Sequence, residues 1–140
     1  MPKRRRGYLP PPGSRRPRVV RHERFERLVE RALARIPPPF SDVLGEVAIV
    51  IADEPSAEDL RENDLGPGDA LYGLYDGVPR TEWGADWAAV PNRITLYRLP
   101  LEEDFPDPFD LEEEVRETVI HELAHHLGID DDRLHDLGVD

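Results

Sequence analysis

The stretch His121-Glu-Leu-Ala-His125-His-Leu-Gly128-Ile-Asp-Asp131 decides the architecture, because it predicts a helix that presents two histidines to one metal ion. Residues four positions apart on a helix differ by about 40° around its axis, so the imidazoles of His121 and His125 can reach the same ion. Glu122 lies about 100° round from His121, which makes it a poor third ligand but places it beside a water at the ion. The alternative is a surface helix that carries two solvated histidines.

A third ligand is expected just beyond this helix. Gly128 can adopt the left-handed conformation that ends a helix, after which a carboxylate three residues on can turn back to the ion. Three carboxylates compete for this role, Asp130, Asp131 and Asp132, and the offset from Gly128 favours Asp131. The chain has no cysteine, so a transition metal has to be held by histidine and carboxylate, a donor set that suits zinc.

The charge of this 140-residue chain, net −12, is divided unevenly. Residues 1–21 contain eight Lys or Arg and no acid, whereas residues 22–140 contain ten Arg and all thirty acids. The first segment, rich in Pro, Gly and Arg, is predicted to be a disordered basic tail, and the second a single domain. The tail leaves nucleic-acid binding open, although a solvated tail is favoured and the acidic body argues against a broad basic footprint.

Targeting and membrane signals are not evident in the sequence. No apolar run approaches the ~18 residues of a membrane span. The Arg-rich start is followed by Pro and Gly rather than by the apolar region of a signal peptide. We therefore expect a cytoplasmic protein with no membrane partner.

Hydrophobic periodicity predicts one helix and three strands ahead of the metal-site helix. Apolar residues at helical spacing from Phe25 to Ile36 predict an amphipathic helix, which begins near His22 and which Pro37-Pro38-Pro39 ends. The β-branched run Val47–Ile51 predicts a central strand, Ala70–Tyr75 a second strand and the alternating segment Arg93–Arg98 a third, half-buried strand. Residues 53–69, 78–91 and 100–108 are predicted to be connections.

The helix that carries the histidines is predicted to begin after Asp110, with Glu113 completing a capping box. An apolar ridge at i+4 spacing runs along it, formed by Leu111, Val115, Val119, Leu123 and Leu127 and widened by Ile120 and Ala124. The ridge lies well round the helix from His121 and His125. We therefore expect the helix to pack its ridge on the body and to present the two histidines to a cleft.

The chain resembles the small bacterial zincin-like metallopeptidases called minizincins, from about residue 22 to residue 135. The specific likeness lies in GLYDGVP at residues 73–79, RITLYR at residues 93–98 and the HExxHxxGxxD stretch. The resemblance implies a minimal α+β fold, with a small mixed sheet, an N-terminal helix and an active-site helix. It implies His121, His125 and Asp131 as metal ligands and Glu122 as general base. Larger zincins bind extended substrate along an edge strand, for which Arg93–Arg98 is the candidate.

Two departures separate the chain from larger zincins. Metzincins carry a Met-turn beneath the metal, but the only methionine here is Met1. Gluzincins take a glutamate ligand from a later helix, yet no glutamate follows Glu122. The sequence therefore leaves an aspartate as the third protein ligand.

The function predicted from these features is zinc-dependent hydrolysis of peptide bonds, with a peptide or protein as substrate. Zinc with three protein ligands keeps a fourth position for water, whose proton Glu122 would accept. A metal-binding regulatory or interaction module that does not cleave is the alternative. An intact Glu122 argues against it, because a structural zinc site needs no base and normally closes its fourth position.

Several other residues receive weaker expectations. Tyr97 and His135 are candidates to steady the oxyanion, although packing and solvation explain them equally well. His126 is expected either behind the ligands or at the surface. Trp83 and Trp87 are candidates for a specificity lip, with packing as the favoured role.

Overall fold

The computed structural model describes residues 18–66, 70–77, 92–129 and 131–136, in an α+β arrangement. Its helices and strands, in chain order, are α1 (Arg18–Ala34), a 3-10 helix (Phe40–Glu46), β1 (Ala48–Ala52), α2 (Ala57–Glu62), β2 (Gly73–Asp76), β3 (Arg93–Tyr97), α3 (Arg98–Asp104), α4 (Pro108–Leu127) and α5 (Asp131–Asp136). Among the described residues no helix is both long and apolar enough to cross a membrane.

The three strands form a mixed sheet in the order β1-β3-β2, with β1 parallel and β2 antiparallel to β3. β3 is the middle strand, and its Ile94 and Leu96 are fully buried. The prediction that residues 47–51 form the central strand is therefore wrong, since β1 is an outer strand of the described sheet and Val50 is exposed. A run of apolar residues indicates that a strand is buried, but it does not indicate which strands are its neighbours in the sheet.

The middle position of β3 also corrects the expected substrate strand. Residues 93–98 cannot offer a free edge to an extended peptide, because β3 pairs with β1 on one side and with β2 on the other. A substrate strand therefore has to be sought at β1 or β2. The antiparallel strand β2 is the one that contacts α4 closely, as described below.

Helix α1 forms as its apolar spacing predicts and packs against α4. Its buried residues, Phe25, Leu28, Val29 and Ala32, join the ridge of α4 in one core. Arg31 of α1 and Arg35, one residue beyond its end, both reach the carboxylate of Glu112. Each guanidinium nitrogen lies 2.9 Å from a carboxylate oxygen. The helix begins at Arg18, four residues before the predicted start, and ends at Ala34, before the prolines. The predicted basic tail otherwise lies outside the described residues.

Helix α4 is the long helix that the sequence predicts, but its N-cap is Asp107 rather than Asp110. The carboxylate of Asp107 accepts hydrogen bonds from the backbone N–H groups of Phe109 (2.8 Å) and Asp110 (3.2 Å). Pro108 occupies the first helical position, where a residue without an N–H costs nothing. Six of the seven predicted ridge residues are buried, and Leu127 is partly buried against them.

The N-cap assignment leads to a stability prediction. Asp107→Ala should lower the free energy of unfolding by about 1 kcal/mol, because two backbone N–H groups lose their acceptor. Asp110→Ala is the matched control, since Asp110 only contributes a charge in the first turn and should cost no more than about half of that. Chemical denaturation of the two variants measures the difference. An Asp110 effect larger than the Asp107 effect would restore the N-cap predicted from the sequence.

Two segments predicted to be connections contain short helices. α2 has Ser56 as its N-cap and Asp59 in a complete capping box, with hydrogen bonds of 3.0 and 3.1 Å. α3 follows β3 directly and tolerates Pro100 in its first turn. Its first residue, Arg98, is buried and pairs with Asp53 at 3.0 Å and Glu102 at 2.6 Å. The capping box of α2 is visible in the sequence. The pair of Arg98 with Asp53 at the start of α3 is not, because it joins residues that are 45 positions apart.

Candidate metal centre

One face of α4 lines a cleft that β2 and the residues before it close on the other side. The cleft has a volume of about 420 Å³, and three of the four residues of the predicted site, His121, Glu122 and His125, line it. The wall opposite is formed by residues 70–73. The structure therefore confirms the expectation that α4 buries its apolar ridge and presents its histidines to a cleft.

Gly73 allows β2 to approach α4 closely at this point. A Cβ atom on Gly73 would lie 2.6 Å from Cγ2 of Thr118 and 3.3 Å from the carbonyl oxygen of Thr95. Thr118 is β-branched and lies on a helix, so its side chain has little freedom to turn away. The width of the cleft therefore depends on the absence of a side chain at Gly73.

Gly73→Ala should lower the free energy of unfolding by about 1–3 kcal/mol, the usual cost of overpacking. Gly45→Ala is the matched control, because a Cβ atom there would have no atom within 4 Å. Adding Thr118→Ser to Gly73→Ala removes Cγ2 and should recover most of the lost stability. Thermal or chemical denaturation of the three variants tests the contact, which is refuted if the Thr118 change brings no recovery.

The end of α4 turns as the sequence predicts. Gly128 has a φ of 74°, in the left-handed region, and ends the helix. The N–H of Gly128 donates to the carbonyl of His125 (3.0 Å), and the N–H of Ile129 donates to that of Ala124 (2.8 Å). The aspartates of the predicted site follow this turn directly, with Asp131 beginning α5.

Glu122 and His125 are in contact within the cleft. The Nδ1 atom of His125 lies 3.0 Å from Oε2 of Glu122, and the two side chains are 52% and 13% exposed. The approach has ion-pair distance but not hydrogen-bond geometry, so this buried carboxylate oxygen has no hydrogen-bond partner among the described residues. A buried carboxylate oxygen that accepts no hydrogen bond is costly unless a donor reaches it.

The third ligand is not tested by the structure. No group of three potential ligands comes together among the residues that the structure describes. Asp130 and the side chain of Asp131 lie outside those residues, and the side chain of Asp132 is exposed. The pair His121 and His125 is thus placed on one cleft, while the aspartate stays a prediction.

His126 is fully buried, which excludes the surface position and leaves the other expected one, behind the ligands. Its Nδ1 atom lies 2.9 Å from the hydroxyl of Tyr75 on β2, and its Nε2 atom lies 3.0 Å from Oε1 of Glu46 in the 3-10 helix. The Tyr75 hydroxyl in turn donates to the side chain of Asn92 at 2.9 Å. These contacts hold the end of α4 against the sheet, one residue beyond the proposed ligand His125.

Of the remaining candidates for the site, the structure describes the side chain of Tyr97 only. Tyr97 is buried, and its hydroxyl donates to Asp59 of α2 at 3.2 Å, so it does not line the cleft as an oxyanion donor. Burial, together with Asp59, raises the pKa of Tyr97 to about 12. The side chain of His135, and both Trp83 and Trp87, lie outside the described residues.

Three residues of the cleft were missed from the sequence, namely Glu114, Glu117 and Thr118. Burial raises the pKa of Glu114 above its ordinary value, and the neighbouring Glu117 adds to this rise. His121 and a hydrogen bond with Thr118 act in the opposite direction. Helical spacing was the available signal, since residues 114, 117, 118, 121 and 125 share one face of α4.

Comparison with known proteins identifies the family. The chain matches the zincin-like metallopeptidase family over residues 44–139, which include all of β1 to α5. The chain therefore belongs to this family, as the resemblance predicts. It is also similar in structure to a conserved hypothetical protein from Thermus thermophilus, with 30% sequence identity and a TM-score of 0.52. That similarity covers 85% of this chain and 99% of the other. No curated protein matches the chain.

Proposed function

We propose that the protein is a zinc-dependent metallopeptidase that hydrolyses peptide bonds with Glu122 as general base. One observation carries the proposal: a buried carboxylate oxygen of Glu122, without a hydrogen-bond partner among the described residues, lies beside His125 in the cleft. Membership of the zincin-like metallopeptidase family supports the same class of reaction. A structural zinc site would have no need for such a carboxylate.

The donor set of the cleft fits a zinc ion. His121 and His125 lie one helical turn apart and line the same cleft, and imidazoles with a carboxylate are a common donor set for zinc. We propose them as two ligands, with Asp131 as the third and Asp130 and Asp132 as its competitors. A bound zinc ion supplies a Lewis acid, which polarises a carbonyl and lowers the pKa of a water to about 7.

The residues of the chain would then handle the proton and the substrate. Glu122, which lines the cleft, would accept a proton from the attacking water through its carboxylate and deliver it to the leaving amine. The side chain of Glu122 is 13% exposed, so its position in the cleft is held by the surrounding residues. The turn at Gly128 and the hydrogen bonds of His126 fix the helix end, and so they orient His125.

The order of the strands supports a proposal for the position of the substrate. Residues 70–73 form the wall of the cleft opposite the histidines, and β2 is an outer strand of the described sheet. An extended peptide that adds to an outer strand gains main-chain hydrogen bonds along its length. We therefore place the substrate backbone along the segment that leads into β2, and not along β3.

The test is hydrolysis by the full-length protein. A mixture of unstructured peptides is incubated with the zinc-loaded chain, and the products are identified by mass spectrometry. We expect cleavage that a chelator abolishes and that added zinc restores. If the zinc-bound protein cleaves no peptide in the mixture, the proposal is wrong and the non-catalytic metal-binding module is the better interpretation.

A further inference from the structure

A second concave surface lies at the opposite end of α4 from the metal centre. It is a groove of about 530 Å³ between α1 and the turn that joins α3 to α4, and none of its lining residues lines the metal cleft. Its volume falls within the ~300–1,000 Å³ range of sites that bind small ligands and side chains. We name it the arginine groove after the three arginines of α1 that line it, Arg24, Arg27 and Arg31.

The floor and the far wall of the arginine groove are apolar. Phe25, Leu28 and Leu111 are buried at its base, so the floor is fixed by the core. Phe105 forms part of the wall and is held edge-on against Tyr72, with ring centroids 5.5 Å apart. The exposed residues Pro106 and Pro108 continue this wall, and proline has almost no side-chain freedom to lose on binding.

The rim of the arginine groove carries unbalanced positive charge. Arg31 pairs with Glu112 at 2.9 Å, and Glu102, the acid that lines the groove, pairs with Arg98 at 2.6 Å. Arg24 and Arg27 are both exposed and form no ion pair with another described residue. The chain as a whole is acidic, with a net charge of −12, so two exposed arginines at one groove give it a local charge opposite to that of the chain.

The spacing of the arginines defines the length of a matching ligand. Positions 24, 27 and 31 recur at helical spacing, so their side chains follow one side of the groove over about 10 Å. An extended chain covers that distance with about three to four residues. Guanidinium groups pair with carboxylates in a fork geometry, and the apolar floor accepts a side chain without polar atoms.

From this combination we infer that the arginine groove docks a short acidic segment of a partner protein, in which acidic residues flank one large apolar side chain. The apolar side chain enters between Phe105 and the buried leucines, and the flanking carboxylates face Arg24 and Arg27. The groove and the metal cleft share no lining residue, although Phe105 of the groove contacts Tyr72 of the cleft. The groove is a docking surface whether or not the cleft cleaves peptides.

The test is a selection of displayed random nonapeptides against the full-length protein. We expect the enriched sequences to contain Asp or Glu on both sides of Leu, Phe or Trp. Synthetic peptides from this set should lose at least about tenfold in affinity on Arg24→Glu/Arg27→Glu, and binding should weaken with added salt. Arg61→Glu, at an exposed position of α2, is the control that should leave affinity unchanged.

A comparison on the peptide side does not depend on how any variant folds. Replacing the central apolar residue of an enriched peptide with serine should abolish its binding to the unaltered protein. The inference is overturned if the selection enriches nothing, or if the enriched peptides bind the double variant as tightly as the parent, since they would then bind elsewhere on the protein. It is also overturned if Arg24 and Arg27 prove to bind vesicles of phosphatidylserine and phosphatidylcholine and no peptide.

Discussion

Glu122→Gln should reduce peptide hydrolysis by about 10²–10⁴-fold, the range expected when a general base is lost. Glutamine has the size and shape of glutamate, but its amide cannot accept the proton of the attacking water. The Oε2 atom of Glu122 is buried, lies 3.0 Å from Nδ1 of His125 and accepts no hydrogen bond from the described residues. Initial rates on one identified peptide, measured for parent and variant at equal zinc occupancy, give the ratio.

Zinc affinity should change little in the same variant, because Glu122 is the proposed base and not a ligand. Glu103→Gln is the matched control: it makes the same chemical change at an exposed position of α3, outside the cleft. We expect it to retain the parental rate and the parental zinc content. Full activity in Glu122→Gln would show that Glu122 is not the general base. Loss of zinc in that variant would show that Glu122 is a ligand.

The metal-site helix could be predicted from the sequence because its signals are local. The apolar ridge sets the buried face of α4, and Gly128 sets its end, so the positions of His121 and His125 follow from 3.6 residues per turn. The N-cap was placed three residues late because Asp107 and Asp110 both precede apolar residues. The proline at position 108 is the signal that distinguishes them.

The order of the strands could not be predicted in the same way. Val47–Ile51 and Arg93–Arg98 are both apolar enough to be buried, and neither sequence records how many partners it has. β3 becomes the middle strand because it pairs with both β1 and β2 across long chain separations. The predicted substrate strand depended on this order. The wrong position of β3 in the sheet therefore also gave a wrong strand for the substrate.

The burial of His126 also lay beyond the sequence. A histidine on a helix can be solvated or buried, and the outcome depends on whether polar partners are present. Here Tyr75 comes from β2 and Glu46 from the 3-10 helix, 51 and 80 residues away along the chain. Glu114 and Glu117 are different, because helical spacing alone aligns them with His121.

The parent protein should bind about one zinc ion per chain, and His121→Ala should lower the affinity at least about 100-fold. Loss of a partner that only orients a ligand costs about 10–100-fold, so loss of a ligand should cost more. Zinc should raise the melting temperature of the parent, because a ligand that binds the folded state stabilises it, and should raise that of the variant less at the same zinc concentration. Elemental analysis and thermal scans with and without zinc give both quantities.

His22→Ala is the matched control for the zinc prediction. His22 lies on α1 near Glu26, at 3.7 Å, and outside the metal cleft, so its loss should leave zinc content unchanged. The third ligand is assigned by comparing Asp130→Asn, Asp131→Asn and Asp132→Asn, of which Asp131→Asn should lower the affinity most. Only one aspartate should behave like His121, because a tetrahedral ion with an open position needs one ligand from this segment. Stoichiometric zinc in His121→Ala would show that the metal centre does not lie on this face of α4.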